Sequence, residues 1–552
     1  MISRRSFCQA GAGIWALASE ARADVRYAEQ HRAAEWSYSS GKAYKDPFND
    51  IELDVVFETT GGTEYRVPAF WGGGQVWRVR FAPPSAGRYR WRTICTDSSN
   101  GDLHDRSGVL EVAPYRGENA LYRHGPVRVA RDLRHFEHTD GTPFFWLGDT
   151  WWMGLCRRLS WPEGFQTLTA DRVRKGFSVV QVVAGLYPDM PPFDPRGANE
   201  AGFPWEKDYQ RINPAYFDMA DVRIQYLAER GIVPCIVGCW GYFLPLMGVP
   251  RMKQHWRNLI ARWGAYPAVW CLAGEGTMPF YLSQHREQDS AVQKQGWTEV
   301  ARYVRSTDPL HRLITIHPSQ TARDSVEDAS VLDFDMLQTG HSDRASIRNT
   351  ITQVTGSLQR NPKMPVLVGE VCYEGIMEAS RQEVQRFMFW SCMLSGAAGH
   401  TYGANGIWQV NTVEKPFGPS PHGRSWGDTP WETAYQLPGS AQLGLAKKLF
   451  MRYEWWRFEP HPDWAAPHWS SENYFRAYAA GIPAQVRIFF LPDGNSPTIQ
   501  ALERGVNYDA YFFNPVNGSE HALGRVVPDE SGNWKPPQPP ILQDWILVLQ
   551  NG

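Results

Sequence analysis

Between residues 126 and 450, short apolar runs alternate with helix-length segments, and this alternation constrains the fold more than any other feature. Eight runs read as strands: Phe144–Gly148, Ser178–Val183, Ile232–Gly238, Ala268–Ala273, Leu313–His317, Phe334–Leu337, Pro365–Gly369 and Ala398–Tyr402. Segments of helical period and length stand between them, among them Pro214–Arg230, Arg286–Ser306 and Arg381–Leu394. Eight βα units in about 320 residues match a (β/α)8 barrel with insertions. The alternative is a doubly wound sheet. No glycine-rich dinucleotide or phosphate fingerprint follows an early strand, which weighs against it.

The flanks read as β. Asp50–Phe57, Val76–Phe81 and Tyr89–Thr93 alternate with period two, and Gly61-Gly62, Gly72–Gly74 and Pro83-Pro84 mark the turns between them. After the barrel, Ala484–Leu491, Tyr508–Phe513 and Trp545–Leu549 read as strands, and Pro536–Pro540 as a loop. The predicted order is an export signal over 1–23, a β-sandwich over 24–125, the barrel over 126–452 and a small β-sandwich over 453–552.

The export signal rests on the twin-arginine run Ser3-Arg4-Arg5-Ser6-Phe7, the weakly apolar Cys8–Leu17 and the small residues of Ala21-Arg22-Ala23. It predicts a periplasmic or secreted protein. No apolar run is long enough for membrane insertion. A formal charge of −2 gives no argument for nucleic acid as a partner. Of eight cysteines, seven remain after cleavage, scattered and several inside apolar runs, so buried free thiols are expected. Cys235 and Cys239 have no Cys/His partner pair at zinc spacing. Neither a metal nor a cofactor is expected, and oligomeric state leaves no signature.

In a (β/α)8 barrel the catalytic groups come from the C-terminal ends of strands. Glu275 closes strand four and Glu370 closes strand seven, on opposite sides of the mouth. Two facing carboxyls of unlike environment are what glycoside cleavage needs: one protonated to assist the leaving oxygen, one ionised to attack the anomeric carbon. The chain also holds 25 Trp, 23 Tyr and 26 Phe, whose faces fit sugar rings as well as cores.

The motifs resemble a known family. Phe144–Trp152, Arg262–Glu275, Gln338-Thr339-Gly340-His341, Pro365–Glu370 with Tyr373-Glu374-Gly375, and Gly399–Gly403 with Gly406–Gln409 look like the apiosidase-like (DUF4038) catalytic domain. Asp46-Pro47-Phe48 and Val76–Phe81 resemble the DUF5060 sandwich that often precedes it, and Arg487–Gly494 is similar to the C-terminal module labelled collagen-binding in such enzymes. The resemblance implies a retaining hydrolase with Glu275 as acid/base and Glu370 as nucleophile. One departure stands out: such relatives often carry Gly-Gly-Asp where this chain has Ala273-Gly274-Glu275.

Asp149, Trp151, Trp240, His317, Gln338, His341, Tyr373, Tyr402 and Trp408 are the predicted sugar-contacting residues. For Asp149 a helix-capping role is an equal alternative, and Trp151, Trp240 and Trp408 serve either as stacking walls or as packing. Tyr373 is expected to donate to Glu370, Glu374 to support the site from behind, and His400 is open between site and core. The long Pro-rich loop Leu186–Ile212, with Tyr187, Asp189 and Trp205, is expected to narrow the cleft to a pocket and favour exo action. The predicted function is a retaining exo-glycosidase acting on side chains of plant or bacterial polysaccharides, with a furanose or other unusual sugar as the candidate target. A non-catalytic glycan-binding protein and a transglycosylase are the alternatives.

Overall fold

A computed structural model describes residues 24–552, so the predicted export signal lies outside the described residues. The eight predicted apolar runs form one all-parallel sheet: β1 (Trp146–Thr150), β2 (Val179–Val183), β3 (Val233–Val237), β4 (Val269–Cys271), β5 (Ile314–Thr315), β6 (Asp335–Gln338), β7 (Val366–Glu370) and β8 (Gly399–Tyr402). Pairing runs β5-β4-β3-β2-β1-β8-β7-β6, which is the order of a (β/α)8 barrel. The seam between β5 and β6 has no regular ladder. It is closed by Asp333 N–H on the Ile314 carbonyl at 2.8 Å and Thr315 Oγ1 on the Phe334 carbonyl at 3.0 Å.

Seven helices follow strands: α1 (Glu163–Arg174), α2 (Pro214–Glu229), α3 (Phe243–Trp263), α4 (Arg286–Thr307), α5 (Ser346–Gln359), α6 (Gln382–Leu394) and α7 (Pro438–Phe450). Between β5 and β6 the expected helix is replaced by two short 3-10 turns, Ala322–Ser325 and Ala329–Val331. The first strand begins later than predicted because Phe144 pairs with Phe136 in a small antiparallel sheet. Phe136 of that sheet packs on Trp146 and Phe334, plugging the N-terminal end of the barrel.

The N-terminal region is a β-sandwich of a five-stranded and a three-stranded sheet around Leu53, Val55, Phe57, Trp77, Val79, Phe81 and Trp91. Buried charges dock it on the barrel. Arg80 reaches Asp221 of α2 at 2.7 Å, Arg262 of α3 reaches the same carboxylate at 2.8 Å, and Arg257 reaches Asp54 at 2.6 Å. The C-terminal region is a small β-sandwich of a six-stranded and a two-stranded sheet. Alternate residues of Val486–Leu491 face opposite ways: Phe489 and Leu491 fill this region's own core, whereas Val486, Ile488 and Phe490 join the barrel core. That explains a strand with no polar face. Arg386 of α6 completes the junction, forked on Asp544 at 2.6 and 2.7 Å.

The seven cysteines of the described residues are free and buried. No helix among these residues is long and apolar enough to cross a membrane.

His400 on β8 is fully buried against Phe389, and neither ring nitrogen has a hydrogen-bond partner in the protein. Burial pushes its pKa down to about 3. The unfolded chain takes up this proton near the ordinary value of about 6.5, whereas the folded protein resists until about 3, so His400 costs stability as pH falls between these values. His400→Phe is therefore expected to gain about 3 kcal/mol more over the parent at pH 4 than at pH 7, by urea titration at both pH values. A pH-independent difference would show that the imidazole is not held neutral.

Candidate active site

Parallel strands place all eight C-terminal ends at one mouth, and the two glutamates meet there. Glu370 ends β7. Glu275 stands just beyond β4 on a segment tied down by main-chain bonds: Gly274 N–H to the Cys239 carbonyl at 2.8 Å, Gly241 N–H to the Gly274 carbonyl at 2.7 Å, Gly276 N–H to the His317 carbonyl at 2.9 Å and Met278 N–H to the Glu275 carbonyl at 2.7 Å. Position 274 requires glycine, since a Cβ there would come within 2.2 Å of the Trp240 ring. Glu275 itself takes φ +42°, a left-handed conformation costing a non-glycine residue about 1–3 kcal/mol that the surrounding bonds must offset.

Gln338 Nε2 donates to Oε1 of both Glu275 and Glu370, each at 3.2 Å. The two oxygens therefore lie no further apart than twice 3.2 Å. His341 Nε2 lies 2.7 Å from Glu370 Oε1, and His317 Nε2 lies 3.1 Å from Oε2. The Nδ1 of each ring faces a main-chain N–H at 3.5 Å, from Tyr373 for His341 and from Glu275 for His317. That assigns the Nε2 protons to the Glu370 side.

The carboxyls are thus driven apart. Burial pushes Glu275 up to about 7, with the Glu370 charge adding to the effect and His317 opposing it. Burial alone would also raise Glu370, but His317 and then His341 outweigh it and hold Glu370 well below the usual carboxylate range. Such a pair presents one proton donor and one anion at neutral pH. Tyr373 accepts a hydrogen bond from Trp152 Nε1 at 2.9 Å; burial and then the Glu370 charge hold its phenol well above its ordinary value.

The cavity above the pair holds about 290 Å³, at the small end of the roughly 300–1,000 Å³ of ligand sites. Trp152, Trp240, Trp408 and Trp426 form much of its wall. His341, Tyr373 and Trp408 stack in sequence, with ring centroids 4.7 and 5.9 Å apart. A Cβ at position 403 would come within 2.0 Å of Tyr373, so glycine lets this stack approach β8. Trp240 Nε1, Trp408 Nε1, Trp426 Nε1 and Gln338 Oε1 are buried without a protein partner. A hydroxyl-rich ligand can pair them, each otherwise costing about 1–3 kcal/mol.

Of the predicted site residues, Glu275, Glu370, Trp240, Gln338, His341, Tyr373 and Trp408 line this cavity. His317 does not; it sits fully buried beneath the glutamates. Asp149, Trp151 and Tyr402 stand outside, because their side chains take the helix-facing side of their strands. Asp149 is fully buried and bonds Arg172 of α1 and Trp151 Nε1, both at 2.6 Å, while Trp151 packs edge-on against Phe165. Tyr402 donates to Glu374, whose carboxylate also accepts the Gly439 N–H at the start of α7. His400 lies on the same outer side. Of the long loop, Pro188 and Asp189 reach the cavity, whereas Tyr187 and Trp205 are buried on Tyr216 and His255. Sequence reasoning missed Trp152, although it adjoins Trp151, Arg286 at the start of α4, and Met278, Tyr281, Ile376, His422 and Trp426 of the loops.

The profile of the apiosidase-like catalytic domain matches residues 130–457, more than half of the chain, and the chain belongs to that family. Residues 27–96 match the domain of unknown function DUF5060. No curated protein matches the sequence. Among solved structures, a glycoside hydrolase of family 5 from Bacteroides vulgatus superposes with TM-score 0.66 at 22% identity, over 79% of this chain and 96% of that one. A candidate glycoside hydrolase from the same organism does so with TM-score 0.70 at 17% identity, over 96% of this chain and 100% of that one. A third, described as a glycoside hydrolase, gives 0.63 at 21% identity, over 79% and 99%. At these identities the likeness is one of fold.

Asp149→Asn removes the fully buried carboxylate that faces Arg172. It is expected to cost about 1–3 kcal/mol in urea titration, since Arg172 loses one charged partner but keeps Asp171 at 2.6 Å. A loss below about 1 kcal/mol would show that the pair does not hold β1 to α1.

Proposed function

We propose that the chain, as a member of this family, is a retaining, exo-acting glycoside hydrolase that trims side chains of plant or bacterial polysaccharides, with Glu370 as nucleophile and Glu275 as acid/base. The observation that carries the reading is the pair of contacts from one Gln338 amide to both carboxyls. The bound of twice 3.2 Å on the nearer oxygens is compatible with the roughly 5–5.5 Å that separates the carboxyls of retaining enzymes. The unlike environments of the two carboxyls support the same roles.

In the first step Glu370 attacks the anomeric carbon while Glu275 gives its proton to the departing oxygen, leaving a glycosyl ester on Glu370 and an anion at Glu275. In the second step Glu275 takes a proton from water, whose oxygen attacks the same carbon and returns Glu370 as carboxylate. His317 and His341 keep Glu370 ionised before attack and stabilise it as a leaving group afterwards. The stacked wall of Tyr373 and Trp408 offers a face for the sugar ring. Exo action is supported by the small cavity and by Pro188, Asp189 and Trp426, loop residues that wall it. The twin-arginine run supports action in the periplasm or outside the cell.

Glu275→Gln and Glu370→Gln are each expected to lower kcat on aryl glycosides roughly 10²–10⁴-fold or more. Azide should restore turnover to Glu370→Ala, giving a glycosyl azide of inverted configuration. The first sugar released by the parent, followed by proton NMR, should keep the substrate's anomeric configuration. An inverted first product would overturn the retaining mechanism, and full activity in either Gln variant would overturn the residue assignment. The alkaline limb of the kcat/KM profile should fall near pH 7, where Glu275 loses its proton, and be absent in Glu275→Gln.

A further inference from the structure

The cavity has a third carboxyl that the chemistry does not use. Asp189 lies in the loop after β2, 9% exposed, and lines the same cavity as the glutamates. It forms no ion pair among the described residues, which sets it apart from the buried Asp149, Asp221 and Asp335, each bonded to an arginine. Burial raises its carboxyl above the ordinary aspartate value.

Its position is fixed from several sides. Asp189 adopts φ +56°, which aspartate tolerates better than most residues. The Tyr242 hydroxyl hydrogen-bonds the main-chain carbonyls of Tyr187 and Met190, at 2.7 and 3.1 Å, pinning the chain on both sides. Its own N–H donates to the Tyr281 hydroxyl at 3.0 Å. Tyr281 comes from the loop after β4, and it packs edge-on against His422 from the loop after β8. From that same loop, Trp426 brings a buried indole Nε1 to the cavity beside the Asp189 carboxyl. Three loops therefore converge on the Asp189 carboxyl, with the Tyr281 hydroxyl and the Trp426 indole as its neutral neighbours and no ion pair among the described residues. A buried carboxyl held this way is costly unless a ligand pairs it.

We infer that Asp189 is the specificity-determining residue for the terminal sugar, its two oxygens accepting hydrogen bonds from two adjacent hydroxyls of a non-reducing-end ring. The inference rests on the glycosidase reading of the same cavity. It makes free neighbouring hydroxyls the recognised feature, so a sugar substituted at either one is excluded.

The test reads binding rather than turnover. A panel of methyl furanosides and pyranosides of pentoses and hexoses is screened at millimolar concentration by saturation-transfer NMR against the parent, Glu370→Gln, Asp189→Ala and Asp189→Asn, each checked for folding by circular dichroism. The parent and Glu370→Gln should bind the same glycoside, and Asp189→Ala should bind it roughly ten- to a hundredfold more weakly, the worth of hydrogen bonds to a charged group. On the unmodified protein, O-methylation of either adjacent hydroxyl should produce the same loss, and Asp189→Ala should then lose nothing further. This probe-side arm needs no variant to fold. Unchanged binding in Asp189→Ala, unchanged binding of both methylated sugars by the parent, or no binding of any panel member would overturn the inference. Full turnover by Glu370→Gln would instead sink the catalytic reading and leave the role of Asp189 standing.

Discussion

Two histidines on one carboxylate set the character of the whole mouth. His317 sits at the top of β5, beneath both glutamates, and its backbone is part of the barrel: its N–H reaches the Ala273 carbonyl at 2.9 Å and its carbonyl accepts from Gly276. One ring therefore spans the segment that carries Glu275 and the carboxylate of Glu370. Trp152 lies edge-on to this ring with centroids 5.2 Å apart, and Trp240 packs beside it at 6.2 Å. The aromatic packing keeps water from the contact, and charges in such surroundings act far more strongly than in solvent. The difference between Glu275 and Glu370 is thus a property of strand ends and packed rings, set before any ligand arrives.

The barrel was legible because its signal is local and repeated. Each strand is a short apolar run, and eight of them in one order leave few architectures open. Glu275, Glu370, Gln338 and His341 followed from the rule that strand ends carry chemistry. The same rule failed at Asp149, Trp151 and Tyr402 because strand ends have two sides. Trp146 points into the barrel and Asp149 out of it, and the alternation continues past the strand so that Trp151 faces α1 and Trp152 faces the cavity. Counting parity from Trp146 recovers Trp152. Without a fixed inward residue the phase is ambiguous, and a one-residue error exchanges the two sides.

The rest of the site was illegible for a different reason. Tyr281, His422 and Trp426 lie in loops whose paths depend on one another: Tyr281 is placed by Asp189 and Tyr242, and His422 by Tyr281. No periodicity governs such positions, and residues far apart in sequence must be placed together. The flanking sandwiches fall between these cases. Their strands alternate, yet the central strands of the six-stranded sheet of the C-terminal sandwich are apolar on both faces because the barrel covers one of them. Docking through Arg386 and Asp544 fixes α6, the helix that follows β7 and its Glu370.

The residue that departs from the family's common pattern is explained by the rigidity around it. The resemblance drawn from the sequence implies aspartate, one CH2 shorter, where this chain has Glu275. Here the backbone at 274–278 is fixed by four main-chain bonds and by the contact of Gly274 with Trp240. It cannot advance to compensate a shorter side chain. Gln338 is equally constrained, since its amide also serves Glu370. The extra CH2 of Glu275 is therefore what brings its carboxyl into contact with the same amide, close enough for the Glu370 charge to help hold its proton. Position 275 and the loop carrying Asp189 consequently border the same cavity, and the rigid path of 274–278 fixes how far the Glu275 carboxyl reaches into it.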